Sequence, residues 1–269
     1  MFLKKFFLIC CSAISIAQAG APPREFESIK FGFLNETNTH LQSLESLSDT
    51  QAKDFTQARC TDTDALSLTY LRTQTKQSGD SVRDNASNFT KRAGSVFKVV
   101  GEVKPDKGLD NYCFIFSKDF LNRHTLLTPK QMGNVPLRAV TAQRIATAKK
   151  RPIKEAWFLA QLDADTSAVM VRFVRQGQSE LLSLVLLKKD TLYFYDHATI
   201  YNETSTWRVD DGNEFSPRWY RVVFGYKQNN TYGLGIAWAG AESQLLSVIE
   251  LGKNSKPLEV AGGSFYTSP

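Results

Sequence analysis

Eight short segments after residue 154 alternate apolar and polar side chains with a period of two. Successive side chains of a β-strand point to opposite faces, so this period specifies half-buried strands and excludes the 3.6-residue rhythm of a helix. The segments fall into two runs of four. The first holds Glu155–Leu162, Ala168–Arg175, Glu180–Leu187 and Thr191–Asp196; the second holds Arg218–Tyr226, Thr231–Ala239, Gln244–Leu251 and Lys256–Val260. Turn-forming residues around Asp163 to Asp165, at Gly177 and at Asn229-Asn230 separate most of them. The pattern predicts two antiparallel four-strand meanders.

The two runs also resemble each other. Residues 177–190 align without gaps on residues 241–254, an offset of 64, sharing a Ser-(Glu/Gln)-Leu-Leu-Ser core. Similarity at such a period suggests a duplicated β unit. One strand is unusual: Gly233, Gly235, Ala237 and Ala239 share one face, and Tyr232, Leu234, Ile236 and Trp238 the other. Glycine inside a strand marks close approach by another group, and tight packing against a helix or second sheet is expected here.

The N-terminal half reads as a mixture. Leu41, Leu44, Leu47, Ala52 and Phe55 fit one helical face between Thr39 and Ala58. Alternation returns at Leu66–Tyr70, Phe97–Val103 and Asn111–Ser117, with a polar loop over Gln77–Asn88 and a turn at Pro105–Gly108. A second helix is expected from Asn134 to Arg151, capped by Asn134 with Pro136 in its first turn. Its cationic end, Lys149-Lys150-Arg151, suits the helix dipole, and Pro152 stops it. The fold class is therefore mainly β: antiparallel meanders forming a sandwich or barrel-like domain with one or two peripheral helices. Residues 20–133 form an α+β region, and residues 134–269 a helix followed by the two meanders.

The first nineteen residues have the order of a secretory signal: Lys4 and Lys5, an apolar stretch from Phe6 to Ile16, then Ala17-Gln18-Ala19. The stretch is shorter than the ~20 apolar residues a spanning helix needs. Cleavage after Ala19 is expected, giving a periplasmic or secreted protein with no transmembrane segment. Cys10 and Cys11 lack the small preceding residue of a lipoprotein site, so lipidation is not expected. Removal of the leader leaves Cys60 and Cys113, an even pair that an oxidising compartment converts to a disulfide. It also removes two of the 33 basic residues, leaving a net charge of +4 against 27 acidic ones. The basic residues form short scattered runs without a dense stripe, which disfavours nucleic acid.

Chemistry-bearing motifs are sparse. The three histidines, His40, His124 and His197, have no metal-ligand spacing, and no cofactor motif is present. His40 is expected at a helix start, His124 in a polar loop, and His197 just beyond a strand. Asp196-His197 are adjacent, and neighbours in a strand point to opposite faces. Ser95 and Lys98 match a Ser-x-x-Lys pattern without its companions, and Asp62/Asp64 and Asp163/Asp165 lack the further oxygens of a calcium loop. The connection between the meanders, Asn202–Pro217, is long for a compact domain and carries Tyr201 at its start, then Trp207, Arg208, Asp210 and Asp211. Those five residues are the candidate binding set, because aromatic and arginine side chains anchor protein interfaces. The expected function is an exported, non-catalytic binding protein for another envelope or secreted protein, of the inhibitor or toxin-immunity type. A glycan-binding module stacking sugars on Tyr201 and Trp207, and a hydrolase using Asp196, His197 or Asp211, are the alternatives.

Overall fold

A computed structural model describes residues 27–61, 65–101, 103, 112–133, 135–204, 206, 214–229, 231–240, 242–251 and 258–267. The expected leader, the turn at 105–108, Asn134 and half of the inter-meander connection lie outside the described residues.

Six strands close the N-terminal region into a barrel: β1 (Ile29–Leu34), β2 (His40–Ser43), β3 (Phe55–Cys60), β4 (Leu66–Gln74), β5 (Gly94–Val100) and β6 (Tyr112–Ser117). The strand order is β1-β2-β5-β4-β3-β6, with β6 paired antiparallel to both β1 and β3. The helix expected over Thr39–Ala58 is absent. That stretch is β2, a single helical turn α1 (Asp49–Ala52), and β3. Ser48 sets the break: its hydroxyl accepts from the Gln51 amide while the Gln51 side chain accepts from the Ser48 amide, so a helix starts there instead of passing through. Leu41, Leu47, Ala52 and Phe55 are buried all the same, inside the barrel with Phe97, Cys113 and Ile115.

After α2 (Lys118–Arg123), two short strands, β7 (Thr125–Leu127) and β8 (Lys130–Gln131), lead to α3 (Ala139–Lys149). That helix begins five residues later than its sequence suggested. Its N-cap is Arg138, with no side-chain cap, and Pro136 precedes it. Lys150 ends it in the left-handed conformation. The basic run is not a solvated end. Lys149 pairs with Asp196, and Arg151 is buried, donating to the carbonyls of Val174 and Ser179.

Both expected meanders are present. The first, β9 (Ile153–Asp163), β10 (Thr166–Phe173), β11 (Ser179–Lys188) and β12 (Thr191–Ile200), gains β8 at its β9 edge. The second, β13 (Tyr220–Gln228), β14 (Thr231–Ala239), β15 (Ser243–Leu251) and β16 (Leu258–Tyr266), gains β7 at its β13 edge. The 64-residue offset thus relates β11 to β15 within sheets of the same connectivity.

The layers stack in one direction. Ile145 of α3 packs with Val169, Val171 and Val185 on one face of the first sheet. The opposite face, with Met170, Leu182 and Leu184, meets Val222, Leu234 and Ile249 of the second. The far face of the second sheet, with Phe224, Leu246, Val248 and Phe265, covers Phe31, Phe114 and Phe116 on the outside of the barrel. Helix, two sandwiched sheets and barrel therefore share three apolar interfaces.

The glycine-rich face of β14 is explained by its own neighbour. A β-bulge between Val222 and Phe224 turns β13 over, so that the rings of Phe224 and Tyr226 lie across Gly235 and Gly233. A Cβ on Gly235 would stand 1.9 Å from a Phe224 ring carbon, and one on Gly233 would stand 2.0 Å from Tyr226. Gly235→Ala is expected to destabilise by about 1–3 kcal/mol, since ring and strand must separate; a thermal melt unchanged from the parent would contradict this account.

The disulfide joins Cys60 and Cys113, which are register partners across β3 and β6. It closes a 53-residue separation at the barrel seam. Replacing both cysteines by alanine is expected to lower stability by up to about 4 kcal/mol through the freed unfolded chain. Urea denaturation of the parent with and without reductant should reproduce the loss, and the double variant should ignore reductant.

Candidate functional site

Of the candidate binding residues, only Tyr201 falls in the described part; Trp207, Arg208, Asp210 and Asp211 lie outside it. Tyr201 follows β12 directly, and its amide donates to the carbonyl of Gln178 in the turn between β10 and β11. That bond brings the strand end beside Arg175, whose guanidinium carbon lies 3.7 Å from the Tyr201 ring centroid. Ile200, the last residue of β12, is 73% exposed, and Val174 is 42% exposed. Four residues thus form an apolar and cationic end to the first sheet, where the chain departs toward the second.

Asp196 and His197 project to opposite faces of β12, as strand geometry requires. Asp196 accepts from Ser183 at 2.6 Å and pairs with Lys149 of α3. His197 enters the seam between the sheets, edge-on to Tyr195, Tyr220 and Trp238 at centroid distances of 5.0, 6.0 and 5.0 Å. Its Nε2 is buried without a hydrogen-bond partner among the described residues. Burial drives the imidazole down to about 4, against a smaller upward pull from Asp196. Tyr195 donates to Glu259, and burial, with Glu259 behind it, pushes its phenol up to about 12. Burial likewise raises Tyr220 well above its ordinary range. His197, Tyr195 and Tyr220 are therefore uncharged near pH 7, and Asp196 and His197 do not form an acid–base pair.

The other two histidines also differ from their sequence reading. His40 opens β2, within reach of the Thr39 hydroxyl. His124 is buried as the C-cap of α2, stacked on Phe120 and edge-on to Tyr226. Among the described residues, no three metal-ligating side chains cluster.

A second region emerges only in three dimensions. A cleft of about 900 Å³ opens between the two sheets on the side where β7 and β8 sit. Ala156 to Leu159 of β9 line it together with Gln131, Pro136, Arg218, Tyr220 and Arg221. Arg218 stacks at 5.1 Å on Trp219, and Trp157 packs on Phe215 at 5.2 Å. No local motif announces this cleft. Trp157 and Trp219 lie in or beside strands and look like core, and the arginines lie about sixty residues along the chain from β9.

His197 gives the seam a measurable pH signature. Its proton affinity is lower in the folded state than the ordinary value near 6.5, so stability is fullest above about pH 6.5. It falls as pH drops toward 4, at up to about 1.4 kcal/mol per unit from this group. His197→Gln should remove that component, read as a smaller shift in urea midpoint between pH 7 and pH 5; equal shifts in the two proteins would refute it. Comparison of the chain with protein-family models, curated proteins and solved structures found no match, so function rests on the geometry of these surfaces.

Proposed function

We propose that the chain is an exported, non-catalytic binding protein that engages another protein of the cell envelope, in the manner of an inhibitor or toxin-immunity factor. The observation that carries this reading is the exposed end of the first sheet. Ile200 is 73% exposed beside a Tyr201 ring held by the Arg175 guanidinium. A tyrosine ring stacked on an arginine has the composition of an interface hot spot, and the exposed Ile200 is its neighbour in the chain. The surrounding scaffold supports the same reading, because a closed barrel, a cross-strand disulfide and three apolar interfaces give a preorganised framework for binding. The signal-like pattern of the first nineteen residues supports export, and the disulfide is compatible with it.

The glycan alternative draws less from this geometry. One face of Tyr201 is already taken by Arg175, which leaves a single face for a sugar ring. The hydrolase alternative loses its dyad, since Asp196 is engaged by Ser183 and Lys149 on the face away from His197.

The mature chain, immobilised and exposed to envelope extract, is expected to retain one protein that does not elute with free sugars. The Ile200→Asp and Tyr201→Ala variants should each weaken retention about tenfold or more while keeping the parent circular dichroism spectrum. Retention equal to the parent in both variants, or elution by sugar, would sink the proposal.

A further inference from the structure

The cleft between the sheets has a property that its side chains alone do not reveal: one wall is an unpaired strand edge. β9 runs for eleven residues, from Ile153 to Asp163. On its outer side, β8 pairs only with Gln161 and Ala160, and the Met132 amide takes the carbonyl of Leu159. Among the described residues no strand lies outside Ile153–Phe158. The inner side of the same stretch is fully engaged, with Glu155, Ala156, Trp157 and Phe158 in unbroken register with β10. Bulges bracket this run on both sides, at Ala168/Val169 and at Arg172/Phe173. A regular piece of edge with free backbone donors and acceptors is a template for another strand.

Charge narrows what would pair there. Arg218 and Arg221 both line the cleft, and no described lining residue is a carboxylate. Arg218 is exposed and stacks on Trp219; among the described residues it has no ion-pair partner. Glu155, the exposed carboxylate of this strand, is not part of the lining. Most of the remaining lining is apolar or aromatic, Trp157, Phe158, Leu159, Pro136 and Pro217 among it, with Gln131 and Ser216 as its uncharged polar members. The volume, about 900 Å³, is in the range that holds a short ligand. Six residues of edge span roughly 20 Å.

We infer that this cleft is a docking site for an extended, acidic peptide segment of a partner protein, which adds to the Glu155–Phe158 edge as a further strand and presents a carboxylate to Arg218 on the arginine-lined wall. Main-chain hydrogen bonds to β9 supply affinity, and the arginines select for acidic side chains on the segment. The cleft shares no residue with the Ile200–Tyr201 end, so the two surfaces stand or fall separately.

The probe is a capped heptapeptide alternating valine and glutamate, titrated into the mature, disulfide-bonded chain at low salt. Binding is read by fluorescence anisotropy and by amide shifts in ¹⁵N-labelled protein. The expected result is saturable binding with the largest shifts at Ala156–Phe158, weakened about tenfold or more when lysine replaces glutamate. N-methylation of the peptide backbone should weaken binding by a similar factor, because it removes the donors while leaving the charges and the protein unaltered. Arg218→Glu should do the same without changing the melting profile. Binding that survives N-methylation, shifts that map elsewhere, indifference to Arg218→Glu, or no binding at roughly 1 mM peptide would each overturn the inference.

Discussion

Strand β6 is buried on both of its faces, and the rest of the molecule is arranged around that fact. Every residue from Tyr112 to Ser117 is buried. Cys113 and Ile115 point into the barrel, while Tyr112, Phe114 and Phe116 point out and are covered by the second meander. The strand closes the barrel between β1 and β3, anchors the disulfide, and supplies the aromatic floor on which Phe224 sits edge-on to Phe114 and Phe116 at 5.0 and 4.9 Å. A strand apolar on both sides cannot face water on either, so the barrel requires the second sheet as much as the sheet requires the barrel.

The same logic propagates outward. The second sheet covers β6 with one face and must bury the other, which it does against the first sheet; the first sheet then buries its far face under α3. The repeat at an offset of 64 residues has a counterpart in polar contacts. Ser183 of β11 donates to Asp196 of β12, and the aligned Ser247 of β15 donates to Glu259 of β16. Each carboxylate also reaches the preceding layer: Asp196 binds Lys149 of α3, and Glu259 accepts from Tyr195 of the first sheet. A serine–carboxylate pair on the last two strands thus ties each meander to whatever lies before it. This pattern is what a duplicated unit stacked in one orientation would produce.

Legibility in the sequence tracked how local the determining interaction is. All eight late strands were readable because alternation is a nearest-neighbour property, and the Cys60–Cys113 bridge followed from counting two cysteines beyond the leader. The Thr39–Ala58 stretch was misread because residues inside a small barrel and residues on one helical face can share similar spacings. The competing signal was the capping box at Ser48 and Gln51. Arg151 looked like a dipole-facing helix end, yet the carbonyls it satisfies belong to the turn between β10 and β11, more than twenty residues away. Tyr201 could be singled out from its place after a strand, whereas its neighbour Arg175 could not, since only the β11–β12 register brings them together.

The cleft was invisible for a deeper reason: it exists because something is too short. The short strands β7 and β8 join different sheets, β7 capping Gly225 to Lys227 of β13 and β8 capping Ala160 and Gln161 of β9. Three residues and two residues cannot cover strands of nine and eleven. What remains is uncovered β9 edge beside the start of β13, walled by Pro136 and Pro217. Proteins ordinarily blunt such edges with charge, proline or bulges. Here the bulges sit on either side of Glu155–Phe158 and leave that run regular, with arginines set across from it instead of lysines along it. Cationic side chains beside a regular edge disfavour a basic strand and favour an acidic one. Selective exposure of this kind is what a specific docking surface requires.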